Sequence, residues 1–167
     1  MRTRHILAAV ATLALLVGCD QGTTSSSAPD PAPTTAAAKP LDARKVLTKL
    51  KAADVGLSGG TVQNEDTDPN NLLGRPSGYT SRASADLPGG NRDDDVHSIN
   101  RGLVIEAFAS VEDADRRAQY IQGILKGAPL LGSEYHYRAD GGRVLVRVSG
   151  LVKPSRAAKV EAAVADL

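Results

Sequence analysis

From residue 41 onward, apolar positions recur with two different periods, and the alternation between those periods lays out an α+β domain. Val46, Leu47 and Leu50 stand at helical spacing behind Asp42, a residue type that caps helix starts, and Gly56 is placed to end that helix. Gly78 to Asp86 then switches to strict alternation. Tyr79, Ser81, Ala83 and Ala85 fall on one side, and Thr80, Arg82, Ser84 and Asp86 on the other, which predicts a half-buried strand. A polar connection leads to a second strand from Leu103 to Ala109. Ser110 and Asp113 make a capping box, after which Val111, Ala114, Ala118, Ile121 and Leu125 form one stripe at spacings of three and four, expected to be core. Gly127 and Pro129 stop this helix.

The next segment reads as a hairpin centred on a two-residue Asp140-Gly141 turn. That centre pairs Tyr137 with Val144, Tyr135 with Val146, and Glu134 with Arg147, so apolar meets apolar and charge meets opposite charge. Pro154 suits a first helical turn, and Ala157, Val160, Val164 and Leu167 continue as a terminal amphipathic helix. Residues 57 to 77 are dense in turn formers and predict no strand. The expected fold is therefore α+β: a four-stranded antiparallel sheet, spatial order first, second, fourth, third, with helices mainly on one face. It corresponds to a circularly permuted ferredoxin-like arrangement.

Before residue 41 both periods vanish. Arg2, Arg4 and His5 precede an uncharged apolar run from Ile6 to Val17, about the length of an export-signal core and short of the roughly 20 residues that span a bilayer. The run closes on Leu16-Val17-Gly18-Cys19, which resembles the bacterial lipobox. That resemblance implies cleavage after residue 18, diacylglycerol on the Cys19 thiol, and anchoring to the outer face of the cell membrane. An ordinary secreted protein cut nearby, or a buried helix with an incidental cysteine, are the alternatives. Residues 20–40, DQGTTSSSAPDPAPTTAAAKP, cannot bury enough apolar surface to order themselves and read as a tether. Such a tether spans about 25 Å as a flexible coil and about 65 Å as polyproline. The expected organisation is signal 1–18, lipidated Cys19 and tether 19–40, and one domain over 41–167.

Composition narrows the chemistry. Losing Arg2 and Arg4 leaves 18 basic residues against 19 acidic ones, a net charge of −1, which argues against a nucleic-acid partner. Cys19 is the only cysteine, so the domain has no thiol for a disulfide or a metal. Trp is absent and Phe108 is the only Phe, which leaves an aliphatic core with the four tyrosines as its largest members.

No catalytic motif is present: the domain's only histidines are His97 and His136, with no nucleophile elbow, phosphate loop or metal-spaced His/Cys cluster. Asp66, Asp68 and Asn70 alternate as in a calcium loop, yet Asn71 stands where the loop needs Gly and Ser77 where it needs Glu, so an Asx-turn staple is expected instead. Asp93, Asp94 and Asp95 with His97 read as a hydrated loop. Neither a cofactor nor a metal is expected.

With Tyr135, Tyr137, Val144, Val146 and Val148 turned to the helices, the opposite sheet face carries Arg82, Glu106, Phe108, Glu134, His136, Arg138, Arg143, Leu145 and Arg147. Read as open, this face is a candidate surface for an anionic ligand or a protein partner, joined by Arg75 and Tyr79 of the Gly- and Arg-rich GRPSGYTSR segment. A solvated, salt-bridged surface, covered in part by the first helix, is the competing reading.

Three stretches, DPNNLLGRPSGYTSRA at 68–83, IEAFAS-EDADRRAQYIQ within 105–122 and LLGSEYHYRADGGRVLVRVSG at 130–150, are similar to a group of small uncharacterised lipoproteins of high-GC Gram-positive bacteria. The resemblance implies an anchored α+β domain and carries no catalytic residues. The leading expectation is a lipid-anchored extracytoplasmic binding or interaction module, its partner an unidentified extracytoplasmic protein or small ligand. A structural cell-envelope lipoprotein and a small hydrolase are the alternatives.

Overall fold

The computed structural model describes residues 40–167; the expected signal segment, Cys19 and the expected tether up to residue 39 lie outside the described residues. Asp42 caps α1 (Ala43–Ala52) by accepting the Lys45 N–H at 2.8 Å, and the helix buries Ala43, Val46, Leu47 and Leu50. It ends at Ala52, earlier than expected, because Asp54 already turns with φ 52°, two residues before Gly56.

Five strands follow, not four. β1 (Ser58–Val62) was hidden by its own Gly59-Gly60 pair, which sits at φ 59° and 112° and interrupts the pairing to β2 between Ser58 and Thr61. Two glycines read as a turn in sequence, whereas here they make a bulged edge strand. β2 (Ser81–Asp86) and β3 (Gly102–Ala107) pair antiparallel without interruption, and β4 (Glu134–Ala139) and β5 (Val144–Ser149) complete an antiparallel sheet in the order β1-β2-β3-β5-β4. The four expected strands hold their expected order, with β1 added outside β2.

The hairpin register differs from the expectation by two residues. Asp140, Gly141 and Gly142 all have positive φ (51°, 61° and 95°) and, with Arg143, make a four-residue connection, so Ala139 pairs with Val144, Tyr137 with Val146 and Tyr135 with Val148. A slip of two preserves which face each side chain takes. Glu134 now lies opposite Ser149 and reaches Arg147 diagonally, so the anticipated ion pair forms across a different register.

The helices are split between the two faces. α1 and α3 (Pro154–Ala165) cover one face, where Ala83, Ala85, Leu103, Ile105, Val144, Val146 and Val148 pack with Val46, Leu50, Val160 and Val164. α2 (Val111–Gly127) covers the other, with Ala114 packed beside Leu145, Phe108 and Tyr79. The crossover from β3 through α2 to β4 fixes the face of α2, whereas no described strand follows α3, so no crossover rule ties its side.

Because the face under α2 is charged, the α2 stripe is only partly core. Ala114 and Ile121 are buried, while Val111 is 36% exposed. Tyr79 is completely buried on the α2 side, away from Ala83 and Ala85, because β2 starts only at Ser81 and the alternation does not reach back to it. Tyr120, expected in the core, is 63% exposed on the outer surface of α2.

Candidate functional site

The sheet face read as open in sequence is a covered charged layer. α2 lies over its centre, and the 96–97 segment lies over its β2 side, where Ser84 donates to the Val96 carbonyl and Arg82 to that of His97, both at 2.9 Å. Within the layer, Glu106 is fully buried and receives two bonds from Arg117 of α2, each 3.2 Å, and one from Arg147 at 3.1 Å. Arg147 turns its other edge to Glu134 in a fork of 2.8 and 2.7 Å, and His136 reaches the same carboxylate at 2.9 Å. Burial opposes the charge on Glu134, but the Arg147 guanidinium and His136 outweigh it and hold its carboxyl at about 2. Burial likewise opposes the charge on Arg147, and the two glutamates overcome it and push the guanidinium pKa up.

Arg82 is the exception in this layer. It is 3% exposed, its Nε stands 3.9 Å from Glu106, and its Nε and Nη1 have no acceptor among the described residues. Burial lowers its pKa, with Glu106 acting in the opposite direction. Three arginines therefore share two glutamates. Such a layer can orient α2 on the sheet, but its cations are spent on internal partners.

The other predicted surface residues are scattered. Arg138 is held at the helix by the Ala114 carbonyl (3.0 Å) and Asp115 (2.6 Å), and Arg143 closes the hairpin turn on Asp140 at 3.0 Å. Phe108 is buried edge-on to Tyr79, with ring centroids 6.1 Å apart. Arg75 is exposed and bonds back to the Asn71 carbonyl and side chain at 3.0 and 2.9 Å. It lines a small cleft with Glu65, Asn71 and Leu73, separate from the charged layer.

The segment between β1 and β2 is stapled by Asp68. Its carboxylate accepts the Leu72, Leu73 and Asn70 N–H groups at 2.7, 3.0 and 3.2 Å and takes the Tyr79 hydroxyl as well. Burial alone would raise this carboxyl, but these donors outweigh it and hold it below the usual range. The Asx staple expected from the sequence is present, with Tyr79 as its unforeseen anchor. Among the described residues no group of three or more His, Cys, Asp or Glu is placed to hold a metal, and no helix is long and apolar enough to cross a membrane.

A shallow groove of about 450 Å³ between this staple and α2 is lined by Asn70, Leu72, Ser77, Arg116, Arg117 and Tyr120. Its two arginines already pair with Asp113 and Glu106, which leaves little cationic capacity for a ligand.

What the sequence reading missed lies at one end of the sheet. Leu130, Leu131 and Leu151 are 103%, 64% and 56% exposed. They gather with Ile99 around a cleft of about 310 Å³ where β4 begins and β5 ends. The Gly150 N–H donates to the Ser133 carbonyl at 2.7 Å and ties the Leu130–Leu131 turn to Leu151. The signal was an apolar doublet between Pro129 and Gly132, outside any periodic element. At the opposite end the chain enters the domain: the Leu41 N–H donates to Asp140 of the hairpin turn at 3.2 Å, and the Ala43 N–H to Ser81 at 2.9 Å. The two poles are separated by the six-residue length of the strands, about 20 Å.

No family model matches the chain, and comparison with the curated proteins and with the solved structures finds no match.

Proposed function

We propose that this chain is a lipid-anchored extracytoplasmic interaction module. Cys19 carries the diacylglycerol, residues 20–40 form the tether, and the domain presents its apolar pole to a partner protein. One observation supports the reading above the others: the chain enters at Leu41, beside the hairpin turn, while Leu130, Leu131 and Leu151 project from the far end of the sheet. Attachment at one pole leaves the other pole clear of the point where the chain joins its tether. Three large aliphatic side chains exposed together are the kind of patch that marks a protein interface. The charged sheet face does not serve this role, since α2 covers it.

Two measurements test the proposal. Intact mass of the chain purified from its native membrane, beside a Cys19→Ala variant, is expected to give a diacylglyceryl-modified Cys19 N-terminus that the variant lacks. Leu130→Asp/Leu131→Asp is expected to abolish partner association while leaving the chain folded and anchored. A water-soluble chain unaffected by Cys19→Ala would overturn the anchor, and undiminished association in the double variant would overturn the interface.

A further inference from the structure

We propose that the free edge of β4 pairs with the same edge of a second copy of this chain, antiparallel and centred on His136. The result would be one continuous sheet across a two-fold axis.

The two edges of the sheet are built differently. β1 is short, carries the Gly59-Gly60 bulge, and so protects its side. β4 pairs with β5 over all six of its residues without a shift, and contains no proline, no lysine and no bulge. Its two charged side chains, Glu134 and Arg138, are held inside the chain by Arg147 and by Asp115, so its backbone edge is left free.

The direction of its free groups follows from the ladder. The Arg143 carbonyl accepts the Phe108 N–H, so Arg143, Leu145 and Arg147 turn their backbone groups to β3, and Val144, Val146 and Val148 turn theirs to β4. Tyr135, Tyr137 and Ala139 answer them. The N–H and C=O groups of Glu134, His136 and Arg138 therefore point outward. Gln122 donates to the Glu134 carbonyl at 3.3 Å, which leaves the second lone pair of that oxygen for another donor.

The order of residues makes this edge complementary to itself. Glu134-Tyr135-His136-Tyr137-Arg138 reads the same from both ends except that its terminal charges are opposite. Antiparallel pairing about His136 sets Glu134 against Arg138 of the second copy and Tyr135 against its Tyr137. His136 meets its own counterpart on the axis, which is the isologous pattern a two-fold contact requires. In this register the outward-facing residues meet as three hydrogen-bonded pairs, each exchanging two bonds. A register shifted by one residue would oppose outward groups to inward ones and lose them all.

There is room for the second copy. A shallow groove of about 620 Å³ between α2 and β4 is lined by His136 of β4 and by Ala118, Gln119, Gln122, Gly123 and Lys126 of α2. A side chain added at Gly123 would touch nothing within 4 Å, so the α2 wall of this groove is open to solvent at that point.

The test uses the full chain with Cys19→Ala, so that an introduced cysteine is unique. Sedimentation is expected to give twice the mass of one chain, and His136→Cys to form an interchain disulfide. Opposed residues of a hydrogen-bonded pair lie about 5.5 Å apart at Cα, within disulfide reach. Tyr135→Cys and Tyr137→Cys are expected to crosslink to each other when mixed and not when alone. His136→Pro removes the central outward N–H, a change an edge strand tolerates, and is expected to give a monomer with unchanged circular dichroism. A monomeric parent chain, a dimer that survives His136→Pro, or a His136→Cys crosslink only to other polypeptides would overturn the proposal.

Discussion

Arg147 and Glu134 lock together in a two-pronged ion pair of 2.8 and 2.7 Å although they are not opposite in the β4–β5 ladder, where Glu134 faces Ser149. The diagonal works because both side chains lie on the α2 face, and the same guanidinium reaches Glu106 of β3 at 3.1 Å. One arginine thus ties three neighbouring strands beneath a helix.

This pair makes stability depend on acid. Glu134 keeps its charge down to about pH 2 in the folded chain, against an ordinary value of 4.5. As pH falls the unfolded chain takes up this proton first, so the contribution is complete above about pH 5 and is lost between there and about pH 2. The full loss is on the order of 3 kcal/mol. Denaturant midpoints from pH 7 to 3 are expected to fall for the parent chain and to fall less for Glu134→Gln, which starts from a lower value at pH 7.

Glu106 is the more costly residue to remove. Glu106→Gln leaves Arg117, Arg147 and Arg82 facing one another without their shared carboxylate, in a fully covered position. Breaking a buried pair from one side costs about 3–5 kcal/mol. Equilibrium unfolding is expected to show a loss in that range, with α2 the first element to gain hydrogen exchange. Arg138→Met removes a partly exposed pair with Asp115 and is expected to cost much less.

Tyr79 is predicted to act through the segment before it. Tyr79→Phe keeps the ring against Phe108 but removes the hydroxyl from Asp68 and Asn70. About 1.5–3 kcal/mol of stability is expected to go, as for a buried hydrogen bond to a charged acceptor. The amides of Leu72 and Leu73 are expected to exchange faster while those of β3 and β5 stay protected.

Gly78 should tolerate no side chain at all. A Cβ there would stand 2.0 Å from the Leu72 carbonyl oxygen, a backbone atom that cannot swing aside. Gly78→Ala is expected to destabilise the chain more than Tyr79→Phe does, with the same segment loosened. Gly123→Ala, on an open surface of α2, is expected to raise helix stability by up to about 1 kcal/mol.

Much of the fold was legible because each signal was local. The caps at Asp42 and Ser110, the Pro154 start and the alternation of β2 from Ser81 onward and of β5 depend on neighbours in sequence, and they appear where expected. The failures were long-range or hidden. β1 needed β2 beside it before its two glycines could read as a strand. The placement of α2 needed the knowledge that Arg117, on the helix, would meet Glu106, on a strand. Without that contact Arg82, Glu106, Glu134 and Arg147 looked like a solvated surface. The hairpin parity survived a register error because the error was even. The Leu130–Leu131 pole escaped notice because an apolar doublet in a short turn has no period.

Contact between the apolar pole and a partner protein is read out by photocrosslinking from a reactive amino acid placed at Leu130 in the membrane of the producing cell. Lys159, exposed on α3, serves as the control position. One reproducible protein adduct is expected from position 130, none from 159, and loss of the adduct when Leu131 and Leu151 are changed to Asp. A folded, membrane-bound chain whose position 130 yields no more adduct than position 159 would contradict that contact.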